Sequence, residues 1–176
     1  MRLLSDFYTR PTLEVAPDLL GKILVRQFPD GSQICAVITE VEAYTGIDDP
    51  ASHAFRGPTP RTEVMYGPAG VLYVYFIYGM YFCANIVCER AGVAGAVLVR
   101  GVEVAGVPLK QTNGPGKLCR FLEISKQQNG EDLVGSNEIW LENGPKPDQI
   151  LTTPRIGIKV AQDKLWRFVA KFSDIG

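Results

Sequence analysis

Two runs of β-branched and aromatic residues, Val71-Leu72-Tyr73-Val74-Tyr75-Phe76-Ile77 and Tyr81-Phe82-Cys83-Ala84-Asn85-Ile86-Val87, flank the turn tripeptide Tyr78-Gly79-Met80. This is the strongest hairpin signal in the chain, and it commits the segment to an antiparallel pair whose side chains alternate between two faces. Residues 22–28 and 33–44 read as a second hairpin, separated by the turn signal Pro29-Asp30-Gly31-Ser32. Residues 95–104 add another strand, residues 138–142 and 154–160 are expected to be extended, and residues 165–172 are compatible with helix or strand. Helical signals are short. Pro17-Asp18-Leu19-Leu20-Gly21 has Pro in a first turn and Gly just past the end, and Gly114-Pro115-Gly116-Lys117 opens a helix running to Glu123. Strands dominate and parallel βαβ spacing is absent, so the expected class is α+β with an antiparallel sheet. With no repeat, linker or low-complexity tract, the 176 residues are expected to form one domain, residues 1–176.

Composition narrows the function. Hydrophobic residues make up 46% and charged residues 21%, a globular balance. The longest apolar stretch, residues 71–87, is interrupted by Gly79 and Asn85 and falls short of the roughly 20 residues of a spanning helix. No secretory signal is visible at the start, and an intracellular protein without membrane contact is expected. The four cysteines form no C-x-x-C pair and are expected to be buried thiols, with Cys83 and Cys88 on opposite strand faces. His53 is the only histidine, which excludes a two-histidine zinc site and any serine triad that does not use it. No metal or other cofactor is expected. A net charge of −1 argues against a protein held mainly by phosphates, although a local basic patch can serve a short footprint.

Residues 45–70 are rich in Gly, Pro and charge and lack a period, so they are expected to form a long ordered loop, the kind of segment that usually carries function. Just before it, Glu40, Glu42 and Tyr44 share a strand face by period 2. A carboxylate at the end of a buried strand is desolvated, which raises its pKa and suits a general base acting on water. Tyr78 sits at the hairpin tip, where a bulky ring stays in water unless a partner accepts it, and tyrosine faces are sequence-tolerant stacking surfaces for bases. Arg100 closes a buried strand and needs an anion, either Glu42 or a phosphate. Arg56, Arg61, Lys117 and Arg155 stand beside or near Gly or Pro in loops and suit a short backbone-gripping patch, or simply face solvent. Gly114-Pro115-Gly116-Lys117 lacks the upstream Gly and trailing hydroxyl of a phosphate loop, so nucleoside triphosphate binding is rejected.

Glu42-Ala43-Tyr44, His53, Thr59-Pro60-Arg61, the hairpin from Leu72 to Asn85, Gly114-Pro115-Gly116-Lys117-Leu118-Cys119 and Arg155-Ile156-Gly157-Ile158 occur in an order and spacing that resembles the alkyladenine (3-methyladenine) DNA glycosylase family. The resemblance runs nearly the whole chain. It implies a curved antiparallel sheet with surrounding helices, a protruding hairpin that enters the DNA minor groove, and excision of damaged purines without a metal. By resemblance, Tyr78 fills the space of the flipped nucleotide, Tyr44 stacks on one face of the base, and His53 and Tyr75 cover the other. Asn85 discriminates against the 2-amino group of guanine. Glu42 deprotonates a water that attacks the sugar C1′, with Arg100 and the backbone carbonyl of Ile156 holding that water, and Arg61, Lys117 and Arg155 meet the DNA backbone. The implied partner is double-stranded DNA with a damaged purine, met by a monomer in the cytoplasm of a bacterial cell, associated with the nucleoid, or in the nucleus of a eukaryotic one. The competing expectations are a lesion-binding module without turnover and a glycosidase using Glu40 and Glu42.

The resemblance also makes a geometric demand. A two-residue turn at Tyr78-Gly79 puts Tyr75 and Asn85 on opposite faces. Both line one pocket only if the loop has an odd number of residues, most simply Tyr78-Gly79-Met80, or if a bulge lies nearby.

Overall fold

A computed structural model describes residues 1–173; the expected domain of residues 1–176 extends into three residues outside the described ones. The strands are β1 (Ile23–Gln27), β2 (Gln33–Tyr44), β3 (Leu72–Ile77), β4 (Tyr81–Val87), β5 (Ala96–Glu103), β6 (Ile139–Glu142), β7 (Gln149–Thr153) and β8 (Arg167–Lys171). The α-helices are α1 (Ser5–Tyr8), α2 (Thr12–Leu19) and α3 (Pro115–Phe121). The strands form one curled sheet in the order β3-β4-β5-β2-β1-β6, with β8 on β2 and β7 on β8. Every pairing is antiparallel, as the α+β reading expects.

Strand β2 organises the sheet. Its first half pairs with β1, from Gln33 opposite Gln27 to Val37 opposite Ile23. Past that point β8 takes over the same role, with Glu40 opposite Val169 and Glu42 opposite Arg167, while β5 runs along the other edge. A 12-residue strand that changes partners midway curls the sheet around the residues at its C-terminal half. Helix α2 packs on the core face, burying Val15, Ala16 and Leu19 against Leu24, Ile38 and Val97.

The loop between β3 and β4 is Tyr78-Gly79-Met80, with Ile77 opposite Tyr81. Tyr78 and Gly79 take left-handed conformations at φ 53° and 65°, which closes the three-residue turn. The odd count is the one the pocket geometry demands, and it puts Tyr73, Tyr75, Cys83 and Asn85 on one face. Residues 45–70 form an ordered run of turns with one 3₁₀ segment, Glu63–Tyr66. Thr59 and Thr62 exchange hydroxyl and N–H bonds at 2.9 and 3.2 Å, and the Tyr66 hydroxyl donates to the Ala54 carbonyl at 3.0 Å, so side chains stand in for the missing ladder.

Three expectations need correction. The first long helix begins at Thr12 and ends at Leu19, so Pro17 lies inside its last turns and not at its start. Its N-terminus is held from a distance: the Glu89 carboxylate accepts the Thr12 N–H at 2.7 Å and its hydroxyl at 2.9 Å. Residues 154–160 are not a strand, because Pro154 has no N–H and Gly157 has φ 75°. The strand there is β7, which runs Gln149–Thr153 and pairs with β8 within residues 165–172. Cys83, Cys88 and Cys119 are buried as expected, but Cys35 is exposed, facing out from the β1–β2 ladder.

Candidate active site

Alternation along β2, β4 and β5 divides the side chains. Val41, Ala43, Ala84, Ile86, Val97 and Val99 enter the main core, and the residues between them face the other way. Strand register then sets one row across the sheet: Tyr73 opposite Asn85, Asn85 opposite Leu98, Leu98 opposite Glu42. Over this face the 45–70 loop, the start of α3 and the segment after Arg155 enclose a cavity of about 480 Å³. Its wall is aromatic: Tyr44, His53, Tyr73, Tyr75, Tyr78 and Tyr81 all border it, with Asn85, Arg100, Lys117 and Ile156.

Glu42 is completely buried, one side chain behind that wall. The three groups that cover it are wall residues. The Tyr44 hydroxyl donates to Oε1 at 2.9 Å, the Ile156 main-chain N–H donates to Oε2 at 2.6 Å, and Arg100 Nη1 reaches Oε1 at 3.4 Å. Burial, and then the adjacent Glu42 carboxylate, push the Tyr44 phenol up, so it stays protonated and keeps donating. Two offsetting register shifts bring Arg100 here. Ile38 is opposite Val102, Glu40 opposite Gly101 and Val41 opposite Val99, which leaves Thr39 and Arg100 as the extra residues on their strands. Arg100 Nε lies 3.4 Å from Glu40 Oε1 in a loose ion pair and has no hydrogen-bond partner. Glu40 is itself held by Arg167 Nε at 2.6 Å, so it props Arg100 and does not border the cavity.

The aromatic wall is tied together at its rim. His53 stands edge-on to Tyr75 with centroids 4.5 Å apart, and its Nδ1 lies 3.2 Å from the Tyr73 hydroxyl. The ring is exposed at the rim, but packing on these tyrosines and the charge of Arg61 lower its pKa and favour neutral imidazole. Burial pushes the Tyr75 phenol up. Arg61 lies over the Tyr75 ring at 5.3 Å and is exposed, as is Lys117, whose Nζ bonds Asn113 at 3.1 Å. Asn85 Nδ2 donates to the Tyr73 carbonyl at 3.2 Å, pinning the amide to its own hairpin. Tyr78 is 81% exposed at the hairpin tip.

Of the expected site residues, the fold brings Glu42, Tyr44, His53, Tyr75, Tyr78, Asn85, Arg100, Lys117 and Ile156 to or behind one cavity. Ile156 presents its N–H to the Glu42 carboxylate, a contact separate from the water-holding role expected of its carbonyl. Arg155 is a correction. It was expected to meet the DNA backbone, but its side chain is wholly buried, in a two-pronged pair with Asp49 at 2.6 and 2.8 Å. A guanidinium so engaged offers no surface to a phosphate. Asp49 was missed altogether, because an acid in a Gly-rich and Pro-rich loop carries no local sign of a partner on another segment. Glu40 was seen as a second carboxylate, and Arg167 as its support was not.

A carboxylate walled by aromatic rings and fed by a main-chain N–H and an arginine can polarise a water beside a flat ligand held by those rings. Comparison with known proteins gives the family. A family model described as methylpurine-DNA glycosylase matches residues 6–174. A protein of Sodalis glossinidius is 54% identical over 166 residues, covering 94% of this chain and 95% of its own. One of Wolbachia pipientis from Culex pipiens is 52% identical over 164 residues, covering 93% and 86%. One of Methanocella arvoryzae is 46% identical over 184 residues, covering 96% and 92%. All three are provisionally named 3-methyladenine DNA glycosylase. The chain belongs to the methylpurine-DNA glycosylase family, DNA-repair enzymes that hydrolyse the N-glycosidic bond. Among the described residues no helix is long and apolar enough to cross a membrane.

Proposed function

We propose that this enzyme extrudes a damaged purine from duplex DNA into the aromatic cavity and cleaves its bond to the sugar with a water activated by Glu42. The observation that carries the reading is the buried Glu42 carboxylate with its donors from Tyr44, Ile156 and Arg100. A base inside the duplex is out of reach, so extrusion comes first, at a cost of a few kcal/mol of stacking and pairing. Tyr78 takes the vacated place, Tyr44 stacks on one face of the base, and His53 and Tyr75 cover the other. Neutral His53 is compatible with a cationic alkylated purine, whose charge favours aromatic faces.

The Arg100 contact is the loose side of the carboxylate. At 3.4 Å it is long against the roughly 2.7–2.9 Å of a charge-assisted bond, and Arg100 Nε is a free donor. A water entering between Arg100 and Glu42 finds an acceptor and a donor, and Glu42 takes its proton as the oxygen attacks C1′. Asn85 cannot swing aside, because its amide is held by the Tyr73 carbonyl, and it blocks the 2-amino group of guanine. Hydrolysis is monofunctional in this reading, and borohydride trapping is expected to yield no covalent adduct. An adduct lost in Lys117→Gln would instead assign a lyase step to that lysine.

The direct test uses labelled duplexes at low salt, each with one hypoxanthine, ethenoadenine or methylated purine, followed by alkali cleavage. Cleavage by the parent and none by Glu42→Gln supports the reading. Lesion binding without cleavage by either protein replaces it with a binding module.

A further inference from the structure

We propose that the buried Asp49–Arg155 ion pair is a positioning device that seats the Ile156 N–H on Glu42 and holds the Tyr44 ring at the cavity; for its effect on excision, this rests on the function proposed above. Neither side chain exposes any surface. Arg155 Nη1 and Nη2 grip both carboxylate oxygens at 2.6 and 2.8 Å, and Nη1 also donates to the Ala43 carbonyl at 3.0 Å. Ala43 lies between Glu42 and Tyr44 on β2. Its own N–H donates to the Trp166 carbonyl at 2.8 Å, so the strand is tied on both sides between the two residues of the site. The guanidinium lies over the Tyr44 ring at 4.7 Å and the Trp166 ring at 5.0 Å. Asp49 also accepts the N–H groups of Thr45 and Ala51 at 3.2 and 3.1 Å, anchoring the loop that leads to His53.

Chain connectivity supplies the rest. The peptide between Arg155 and Ile156 carries the N–H that donates to Glu42 Oε2 at 2.6 Å. Fixing the Arg155 side chain therefore fixes that peptide, although Arg155 touches neither the cavity nor Glu42. Stability alone is a poor account of the pair. Buried ion pairs are often matched by apolar residues of similar volume, and here Arg155 Nε is left without a partner. What the pair supplies that an apolar filler does not is direction: two fixed prongs, a strand carbonyl and a ring face set by one planar group.

The test compares the parent with Asp49→Asn, Arg155→Lys and the neutral double variant Asp49→Asn/Arg155→Gln. Amide hydrogen exchange is read at Ile156 and at Val99, a core amide of β5. Excision is read under single-turnover conditions, and binding to undamaged duplex is read beside it. In the double variant the Ile156 amide is expected to exchange about tenfold faster or more, with Val99 unchanged. Single-turnover excision is expected to fall about ten- to a hundredfold, with undamaged-duplex affinity within about twofold. Should Asp49→Asn fail to fold because it strands a charge, the double variant and Arg155→Lys carry the same readouts. Unchanged Ile156 protection in a folded variant, or excision within about twofold of the parent, overturns the proposal. If the parent excises nothing, the proposed function fails and Ile156 exchange alone decides the positioning role.

Discussion

Tyr44 donates its phenolic hydrogen to Glu42, two residues back on the same strand, across 2.9 Å. Period 2 puts both on one face, so the contact is local, yet it caps a carboxylate with no exposed surface. Tyr44→Phe keeps the ring and deletes the donor. A buried acceptor left short costs about 1–3 kcal/mol. A double-mutant cycle with Glu42→Leu, which removes the acceptor, followed by denaturant unfolding, is expected to give a coupling energy of about 1–2 kcal/mol. Additive effects of the two substitutions would mean the bond contributes nothing to stability.

His53 gives a pH signature. It is the only histidine, so one imidazole resonance reports it without assignment. Partial desolvation by packing on the tyrosines, and then the Arg61 charge, lower its pKa, so the unfolded chain takes up this proton first as pH falls. Its contribution to stability is therefore present above about pH 6.5, the unfolded value, and is lost as pH drops through the lower folded value. The resonance is expected to titrate below the free imidazole midpoint, and Arg61→Gln is expected to move it part of the way back. A midpoint at or above the free value contradicts the packing described for the rim.

Gly116 is where α3 meets the hairpin. A Cβ there would sit 2.7 Å from Cδ1 and 3.0 Å from Cβ of Tyr81, too near the root of that side chain for a simple rotation to relieve. Gly116→Ala is expected to cost about 1–3 kcal/mol in thermal unfolding. Tyr81→Ala is expected to recover most of that loss when combined with it. Failure of the second substitution to rescue the first would place the strain elsewhere.

Tyr78 lets stability and the proposed recognition be tested apart. With 81% of its surface exposed it has little to lose from the fold, so Tyr78→Ala is expected to shift unfolding by no more than about 0.5 kcal/mol. If Tyr78 is the plug proposed above, its loss is expected to weaken affinity for a lesion duplex about tenfold or more, read by titration at fixed salt. Equal affinity would deny the tip its place in the duplex.

The two hairpins were legible because their information is local. Alternation names the faces and Pro29-Asp30-Gly31-Ser32 names one turn; the odd-numbered loop of the other came from the family resemblance, which puts Tyr75 and Asn85 in one pocket, and the structure has it as Tyr78-Gly79-Met80. Helix α2 was misplaced because Pro17 resembles a starting proline, while the start at Thr12 depends on Glu89, 77 residues away. Strand β7 was missed for a similar reason: Gln149–Thr153 is exposed almost throughout and shows no alternation, and only its pairing with β8 defines it.

The site divides along the same line. By itself the sequence determined which residues of each strand share a face, and so that Glu42 stands with Tyr44 and Tyr73 with Tyr75; the three-residue loop then brought Asn85 to the face of Tyr73 and Tyr75. Only the tertiary structure decided what surrounds the charge. Glu42 meets Arg100 from 58 residues away and Ile156 from 114, and Arg155 turns inward because Asp49, 106 residues away, waits in the opposite loop. Local pattern rests on backbone geometry, which every residue carries with it. The energy of a buried charge rests on its partners, and no stretch of sequence contains those until the chain has folded.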